Sequence, residues 1–398
     1  MEKRAYSSLT FVLIVISILS LLIVSCQLEP SIQYTYRQPE NINDGFDVGS
    51  LDEVNIHAKL IEKAVNEIRR GKYDEVHSML IFKDNKLVFE EYFEGHKFQW
   101  DAPGAHGELV TWDSDMEHPV MSVTKSITST CIGIALDEGF IESVNQSIFD
   151  YLPEHQHLNT EGKDKITIEH LLTMTSGLEW DEWGASLTSG DNDITGLWFY
   201  CGEDPINCIL ERPLVDEPGT SFTYSGGNMI VLGEIIKNAT KMNLDEFSRQ
   251  YLFEPLEIDS FNWDQFQNGV IDGAGGLRII PRDMAKIGVT FLNKGVWNGK
   301  QIISEQWVEK SATSFPGNHG INIPGVDFGR NGYSYSWWIK PFSNSGKEIH
   351  MYYAGGWGGQ YIMVIPEQNT VVVFTGGNYQ TKVQVFKILK EYVIPAFN

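Results

Sequence analysis

The stretch Ser122-Val123-Thr124-Lys125-Ser126-Ile127-Thr128-Ser129-Thr130-Cys131-Ile132-Gly133-Ile134-Ala135-Leu136-Asp137-Glu138, stopped by Gly139, reads as one apolar helix. On either side of it the chain changes character. Toward the N-terminus, apolar residues at Leu51, Val54, Ile56, Leu60, Ile61, Val65 and Ile68 keep a helical period that Gly71 ends. Residues 78–82 and 87–93 are strand-like runs around an Asp84-Asn85 hairpin turn. Toward the C-terminus, helical stretches continue at 168–174, 229–238, 244–251 and 282–293. Strands return at 334–339, 350–354, 360–364 and 370–374, and 383–392 closes the chain as a helix. Strands at both ends with helices between predict an α+β fold. One sheet is assembled from about 44–121 and 331–398, and a mostly helical insertion spans about 122–330.

The start of the central helix carries chemistry. Serine is a poor nucleophile until a base takes its proton, and Lys125 lies one turn after Ser122 on the same face. Free N–H groups and the dipole at a helix N-terminus favour an oxyanion, and an apolar setting favours a neutral amine. The plain alternative for a lone Ser-x-x-Lys is an N-cap serine with a solvated lysine. Tyr224, in Tyr224-Ser225-Gly226-Gly227-Asn228, sits on a glycine-bounded turn. Such a turn either aims the phenol into a cleft or packs the ring locally. Ala354-Gly355-Gly356-Trp357-Gly358-Gly359-Gln360 precedes an apolar strand. Its glycines either admit a substrate to the backbone, with an N–H facing an oxyanion, or form a simple β-turn.

In this order and at these wide spacings, the three elements resemble the serine β-lactamase and penicillin-binding family. The likeness is greatest to the class C-related branch, with family VIII carboxylesterases, D-peptide peptidases and 6-aminohexanoate-dimer hydrolase. It covers about residues 44–397 and takes in Ser78-Met79-Leu80-Ile81 with Leu87-Val88-Phe89-Glu90, His170-Leu171-Leu172-Thr173-Met174-Thr175-Ser176-Gly177-Leu178, and Gly275-Gly276-Leu277-Arg278. The resemblance implies a β-lactamase/transpeptidase-like antiparallel sheet flanked by helices, and an acyl-enzyme hydrolase using no cofactor or metal. It implies Ser122 as nucleophile, Lys125 as its activating partner and Tyr224 as proton shuttle. Trp357-Gly358-Gly359 stands where relatives carry the substrate-binding Lys-Thr-Gly, which makes the N–H groups of Ser122 and Gln360 the oxyanion hole.

Two departures shape the substrate expectation. Gly226 replaces the asparagine of Tyr-x-Asn, with Asn228 a candidate substitute for its substrate-binding amide. Trp357 replaces a lysine that helps bind the carboxylate of a β-lactam, forfeiting a charge-assisted contact of about 1.5–3 kcal/mol. The esterase or amidase branches therefore fit better than antibiotic resistance. The runner-up is a D-amino-acid peptidase, a penicillin-binding-like cell-wall enzyme or a slowly acylated sensor.

The remaining sequence bounds compartment and partners. At 398 residues, 42% hydrophobic with 15 Pro, the chain has material for a large core. A net charge of −23 opposes phosphate backbones, so the expected partner is a small ester or amide and not nucleic acid. Lys3 and Arg4 precede an uncharged run over 5–25, the pattern of an export signal. Its end, Leu22-Ile23-Val24-Ser25-Cys26, resembles a bacterial lipobox with Cys26 as the lipidated residue. An uncleaved anchor and a plainly cleaved signal are the alternatives. All three export the enzyme, the first two keep it membrane-attached, and 26–43 reads as a polar tether. Cys201 and Cys208 are spaced for a local disulfide, while Cys131 reads as a small buried hydrophobe. No CxxC or HExxH occurs, so no metal is expected, and His155 and His157 are read as solvent-facing. Glu179-Trp180-Asp181-Glu182-Trp183 reads equally as a cleft rim or a solvated acidic loop, and Trp337-Trp338 as a core or sheet-face pair.

Overall fold

The computed structural model describes residues 33–397 apart from 327, 345 and 346. The residues read as an export signal, with Cys26, lie outside the described residues. Arg37–Asn398 forms one compact unit. Its strands that matter here are β1 (Val76–Lys83), β2 (Lys86–Tyr92), β3 (Glu94–Phe98), β4 (His106–Thr111), β5 (Gly332–Ser334), β6 (Trp337–Ile339), β7 (Tyr352–Gly356), β8 (Gln360–Ile365) and β9 (Thr370–Gly376). The helices are α1 (Ala58–Arg69), α2 (Val123–Asp137), α3 (Asp193–Tyr200), α4 (Gly226–Thr240) and α5 (Pro281–Leu292).

Seven strands make one antiparallel sheet in the order β5-β6-β7-β8-β9-β1-β2. The two ends of the chain join at β1 and β9, in the register Met79↔Phe374 and Lys83↔Thr370. Helices cover both faces. Gly288 of α5 sits against Ile362 and Val371, whereas Phe386 of the C-terminal helix packs on Tyr353 and Tyr361, with ring centroids 5.2 and 5.0 Å apart. Tyr361 and Ile362 are successive residues of one strand and so point to opposite faces. Burial on both sides is why β8 and β9 are apolar throughout instead of alternating. Although α5 falls within the predicted insertion, it belongs to the sheet's packing.

The Asp84-Asn85 turn joins β1 to β2 with both residues at positive φ, 50° and 65°, the geometry that suits a two-residue hairpin. The predicted single strand over 334–339 is corrected. It is itself a hairpin, β5–β6, turning at Tyr335 and Ser336 with φ of 42° and 64°. The cause is tertiary: the hydroxyls of Ser129 and Ser126 on α2 donate to the carbonyls of Tyr335 (2.7 Å) and Ser336 (2.6 Å), pinning the turn to the helix. Cys201 and Cys208 form a disulfide with Cα atoms 6.2 Å apart, and Cys131 is buried against Ser248. His155 does not face solvent; it is buried, with Nε2 3.5 Å from the Asp204 carboxylate. Among the described residues no helix is long and apolar enough to cross a membrane.

Candidate active site

Ser122 stands at the first turn of α2, and its side chain does not cap the helix, so the hydroxyl is free for other contacts. The residue before it, Met121, is held at φ 49°, an unfavourable value for a non-glycine residue of the kind that clusters at functional sites. The segment is fixed from below by Val120 N–H donating to the Leu277 carbonyl (3.0 Å). One turn on, Lys125 is buried and its Nζ is 2.9 Å from Ser122 Oγ. The same Nζ contacts the Ala274 carbonyl (3.1 Å) and Glu182 Oε1 (3.4 Å), so its three hydrogen-bonding directions are all defined. Ala274 belongs to a loop folded around Asp272, whose Oδ1 accepts from the amides of Ala274 (2.9 Å) and Gly275 (3.1 Å). Burial pushes the Asp272 carboxyl up to about 6, with those amides and Lys125 opposing the shift.

Tyr224 completes the cluster. Its ring is stacked between Trp183 (5.2 Å, 18°) and Trp338 (5.7 Å, 26°), and Lys125 Nζ lies 4.9 Å from its centroid. The turn that carries it is anchored on Met174, which accepts from Thr223 N–H at its carbonyl (2.8 Å) and from Ser225 N–H at its sulfur (3.3 Å). Burial drives the phenol well above the ordinary tyrosine range, the nearby Glu182 charge adds to the rise, and a hydrogen bond with Ser122 partly offsets it. Trp338, read as half of a core or sheet-face pair, therefore lines the site, while Trp337 packs in the core 4.3 Å from Phe291.

Glu182 is the residue the sequence left undecided, and it is no solvated loop residue. Only 6% exposed, it accepts from Gly226 N–H (2.5 Å) and Trp180 Nε1 (3.1 Å) through one oxygen and faces Lys125 with the other. A Cβ at position 226 would lie 3.0 Å from Glu182 Oε2 and 2.6 Å from Ile194 Cδ1. The missing side chain at Gly226 is thus the space in which the carboxylate is seated. Asn228 does not substitute for the lost asparagine: it is buried on α4, with Nδ2 3.8 Å from Met174 Sδ, and lies away from the cleft.

The glycine-rich stretch meets Ser122 in a different register from the one predicted. A Cβ on Gly356, the last residue of β7, would be 3.1 Å from Ser122 N and 2.5 Å from the Val120 carbonyl. Ala354-Gly355-Gly356 is therefore the segment that passes the nucleophile. Gly358 instead abuts Tyr379, and Gly359 faces Gly376 and Asn378. Gln360 is corrected as an oxyanion donor: it pairs with Gly356 inside the sheet. Its side chain locks the turn through the carbonyls of Trp357 (3.1 Å) and Gly376 (2.7 Å). Neither Ser122 N–H nor Trp357 N–H, the first amide of the turn, has a hydrogen-bond acceptor among the described residues.

Cavities open on both sides of Ser122. One, of 480 Å³, is walled by Phe98, Trp100, Leu187, Trp198, Phe199 and Trp357. The other, of 350 Å³, lies by Tyr224, Trp338, Ile323 and Tyr379. Trp357 borders both, with Nε1 spent on the Tyr379 carbonyl (3.1 Å), so it offers an apolar face. Besides Lys125, the larger of the two cavities carries Arg278, which is paired with Asp264 at 2.7 Å.

This layout of a helix-borne Ser-x-x-Lys, a tyrosine turn and a strand end beside the serine is matched at the level of sequence. Residues 75–380 fit the family described as Beta-lactamase. The chain belongs to the β-lactamase family. Within it the chain is similar to 6-aminohexanoate-dimer hydrolase of Paenarthrobacter ureafaciens, 27% identical over 269 residues, or 65% of this chain and 66% of that one. The match thus spans just under two thirds of that relative's length. Its fold superposes on a family VIII carboxylesterase (TM-score 0.64, 16% identity, 84% of this chain and 96% of the other). It likewise matches a penicillin-binding protein homologue from Caulobacter crescentus (TM-score 0.64, 15% identity, 85% and 97%). The architecture is β-lactamase/transpeptidase-like.

Proposed function

We propose that this β-lactamase-family chain cleaves an ester or a small amide through an acyl-enzyme on Ser122. The reading is carried by the 2.9 Å contact of Lys125 Nζ with Ser122 Oγ, made beside a buried phenol. Oγ attacks the carbonyl carbon while Lys125 accepts its proton. Charge on the carbonyl oxygen is met by the N–H groups of Ser122 and Trp357. Tyr224, kept protonated by burial, gives its proton to the departing alkoxide or amine and regains one from Lys125. Water then attacks the acyl carbon and its proton passes to Lys125, which returns it to Ser122 Oγ as the acyl–oxygen bond breaks, releasing the acid and restoring the free hydroxyl. Glu182 stands to Lys125 as a triad carboxylate stands to its imidazole, orienting the amine and stabilising the ammonium as it forms.

The register of β7 supports an esterase or amidase over an antibiotic-degrading role. The position of the family lysine falls on Ala354 instead of Trp357, and either residue is neutral. Among the described residues lining the two cavities, the cations are Lys125, engaged with Ser122 and Glu182, and Arg278, paired with Asp264, so neither is free for a β-lactam carboxylate. Aromatic walls on both sides of Ser122 favour apolar acyl and leaving groups. We further infer export and membrane attachment through a lipidated Cys26, which the Cys201–Cys208 disulfide fits as a feature of oxidising compartments. Cys26→Ser should release the protein from the membrane fraction.

The deciding experiment is intact-mass detection of an acyl-enzyme after mixing with nitrophenyl esters, short amides, D-Ala-D-Ala peptides and penicillins. The expected result is an adduct with esters or amides that turns over, located on Ser122 and absent in Ser122→Ala. Labelling that persists in Ser122→Ala would reject the assignment. Turnover confined to D-Ala-D-Ala peptides would transfer the protein to the cell-wall reading.

A further inference from the structure

We propose a second, metal-binding site, independent of Ser122, in which Glu75, His96 and His106 hold a divalent transition metal of the zinc class. The three side chains come from the start of β1, from β3 and from β4, and their ligand atoms lie within 4.8 Å of one another. His96 Nδ1 is in contact with Glu75 Oε1, and a bound ion would replace the proton between them. The His96 and His106 rings are stacked 4.8 Å apart at 14°, so two imidazole edges are presented side by side. His106 Nε2 donates to the Gly377 carbonyl at 2.8 Å, which in a neutral ring leaves Nδ1 with its lone pair free for an ion.

The surroundings have the outer hydrogen bonds that metal ligands require. The second oxygen of Glu75 accepts from His96 N–H (3.0 Å) and lies 3.2 Å from His77 Nε2, while His77 Nδ1 donates to His118 Nε2 at 2.8 Å. His118 Nδ1 ends the chain on the Pro119 carbonyl (3.0 Å), three residues before Ser122. A Cβ at Gly377 would come within 2.5 Å of Glu75 Oε2 and 2.8 Å of His77 Nε2, so glycine is what lets the strand end close over the cluster. The site is reachable: the Glu75 and His96 side chains keep 22% and 33% of their exposure. Two imidazoles and one carboxylate with an open fourth position suit Zn²⁺, and a protein of net charge −23 concentrates cations.

Such an ion would fasten the β3–β4 hairpin to the start of β1. That hairpin supplies Phe98 to the larger cavity, and Phe98 packs on Tyr379, 5.1 Å between centroids. The metal's role is therefore to brace the cleft wall.

The test is a Zn²⁺ titration of the purified full-length chain by calorimetry, with Co²⁺ absorption as a report on coordination. One equivalent is expected to bind. His96→Ala with His106→Ala should abolish the isotherm and the Co²⁺ spectrum, and Glu75→Gln should weaken binding by more than the ~10–100-fold typical of losing an outer partner. His157→Ala, at an exposed position of the short 3-10 helix Pro153–Leu158, should bind as wild type. Failure of the wild-type protein to bind one equivalent overturns the proposal, and so does undiminished binding by a double variant with native circular dichroism. The wild-type stoichiometry needs no variant to fold.

Discussion

Glu182→Gln is the perturbation that separates a working Lys125–Glu182 pair from a structural one. The substitution keeps the shape and leaves one oxygen for Gly226 N–H and Trp180 Nε1, but it turns an amide toward Lys125 where a carboxylate oxygen stood at 3.4 Å. At that distance a unit charge pair is worth at most about 5 kcal/mol at an effective dielectric of 20. Only the part that grows as the ammonium forms affects rate. Taking the scale found for losing one aligned group in an active site, about 2.7–4 kcal/mol, acylation should slow by about 10²–10³-fold. KM should change little, because Glu182 acts through Lys125 and not through the scissile carbonyl. With the negative charge gone, the ammonium that forms in the transition state is less stabilised, so kcat/KM should fall with kcat. Burst-phase kinetics with a nitrophenyl ester, on protein with native circular dichroism, supply both numbers. A variant within threefold of wild type in acylation rate would refute a role for Glu182 in the proton transfer.

Two further outcomes are expected. Gly356→Ala drives a methyl to within 2.5 Å of the Val120 carbonyl and 3.1 Å of Ser122 N, both backbone atoms. Displacement on this scale should cost acylation about 100-fold, and near-normal labelling by a fluorophosphonate would show that β7 does not border the nucleophile as described. Asp272 is raised to about 6 by burial, so its protonated form favours the fold: the contribution is full below about pH 4 and is lost as pH rises through about 6. Asp272→Asn, which keeps the acceptor for Ala274 and Gly275, should be more stable than wild type by up to about 3 kcal/mol at pH 8 and nearly equal at pH 4. Urea midpoints at the two pH values measure this, and a difference that does not depend on pH would rule it out.

What the sequence made legible was local or redundant. Ser122 and Lys125 share one helical turn, so their contact needs no knowledge of the rest of the molecule. The sheet announced itself because strands buried on both faces have no freedom to be polar. The hairpin at 334–339 was hidden because its turn is made by hydroxyls on α2 and not by turn residues of its own. The glycine-rich stretch 354–360 was legible as a close approach but not in register. It holds four glycines, and only the pairing of Gly356 with Gln360 decides which of them passes Ser122. Glu75, His96 and His106 follow no ligand spacing, since the residue before β1, the middle of β3 and the start of β4 bring them together.

Glu182 shows how a departure from a motif becomes informative. In the sequence, Gly226 registers as a loss, an asparagine amide taken from beside the tyrosine. In the fold the same glycine is a vacancy bounded by Ile194 and by a backbone N–H, next to a lysine with one hydrogen-bonding direction left to fill. A buried cavity of that polarity is costly unless a hydrogen-bond acceptor occupies it, and the acceptor comes from 44 residues upstream, in a loop that composition alone would assign to solvent. Gly226 and Glu182 are therefore read together: the glycine leaves the space and the carboxylate fills it. The amine is faced by a carboxylate, and a proton transfer that depends on the amine must follow that charge.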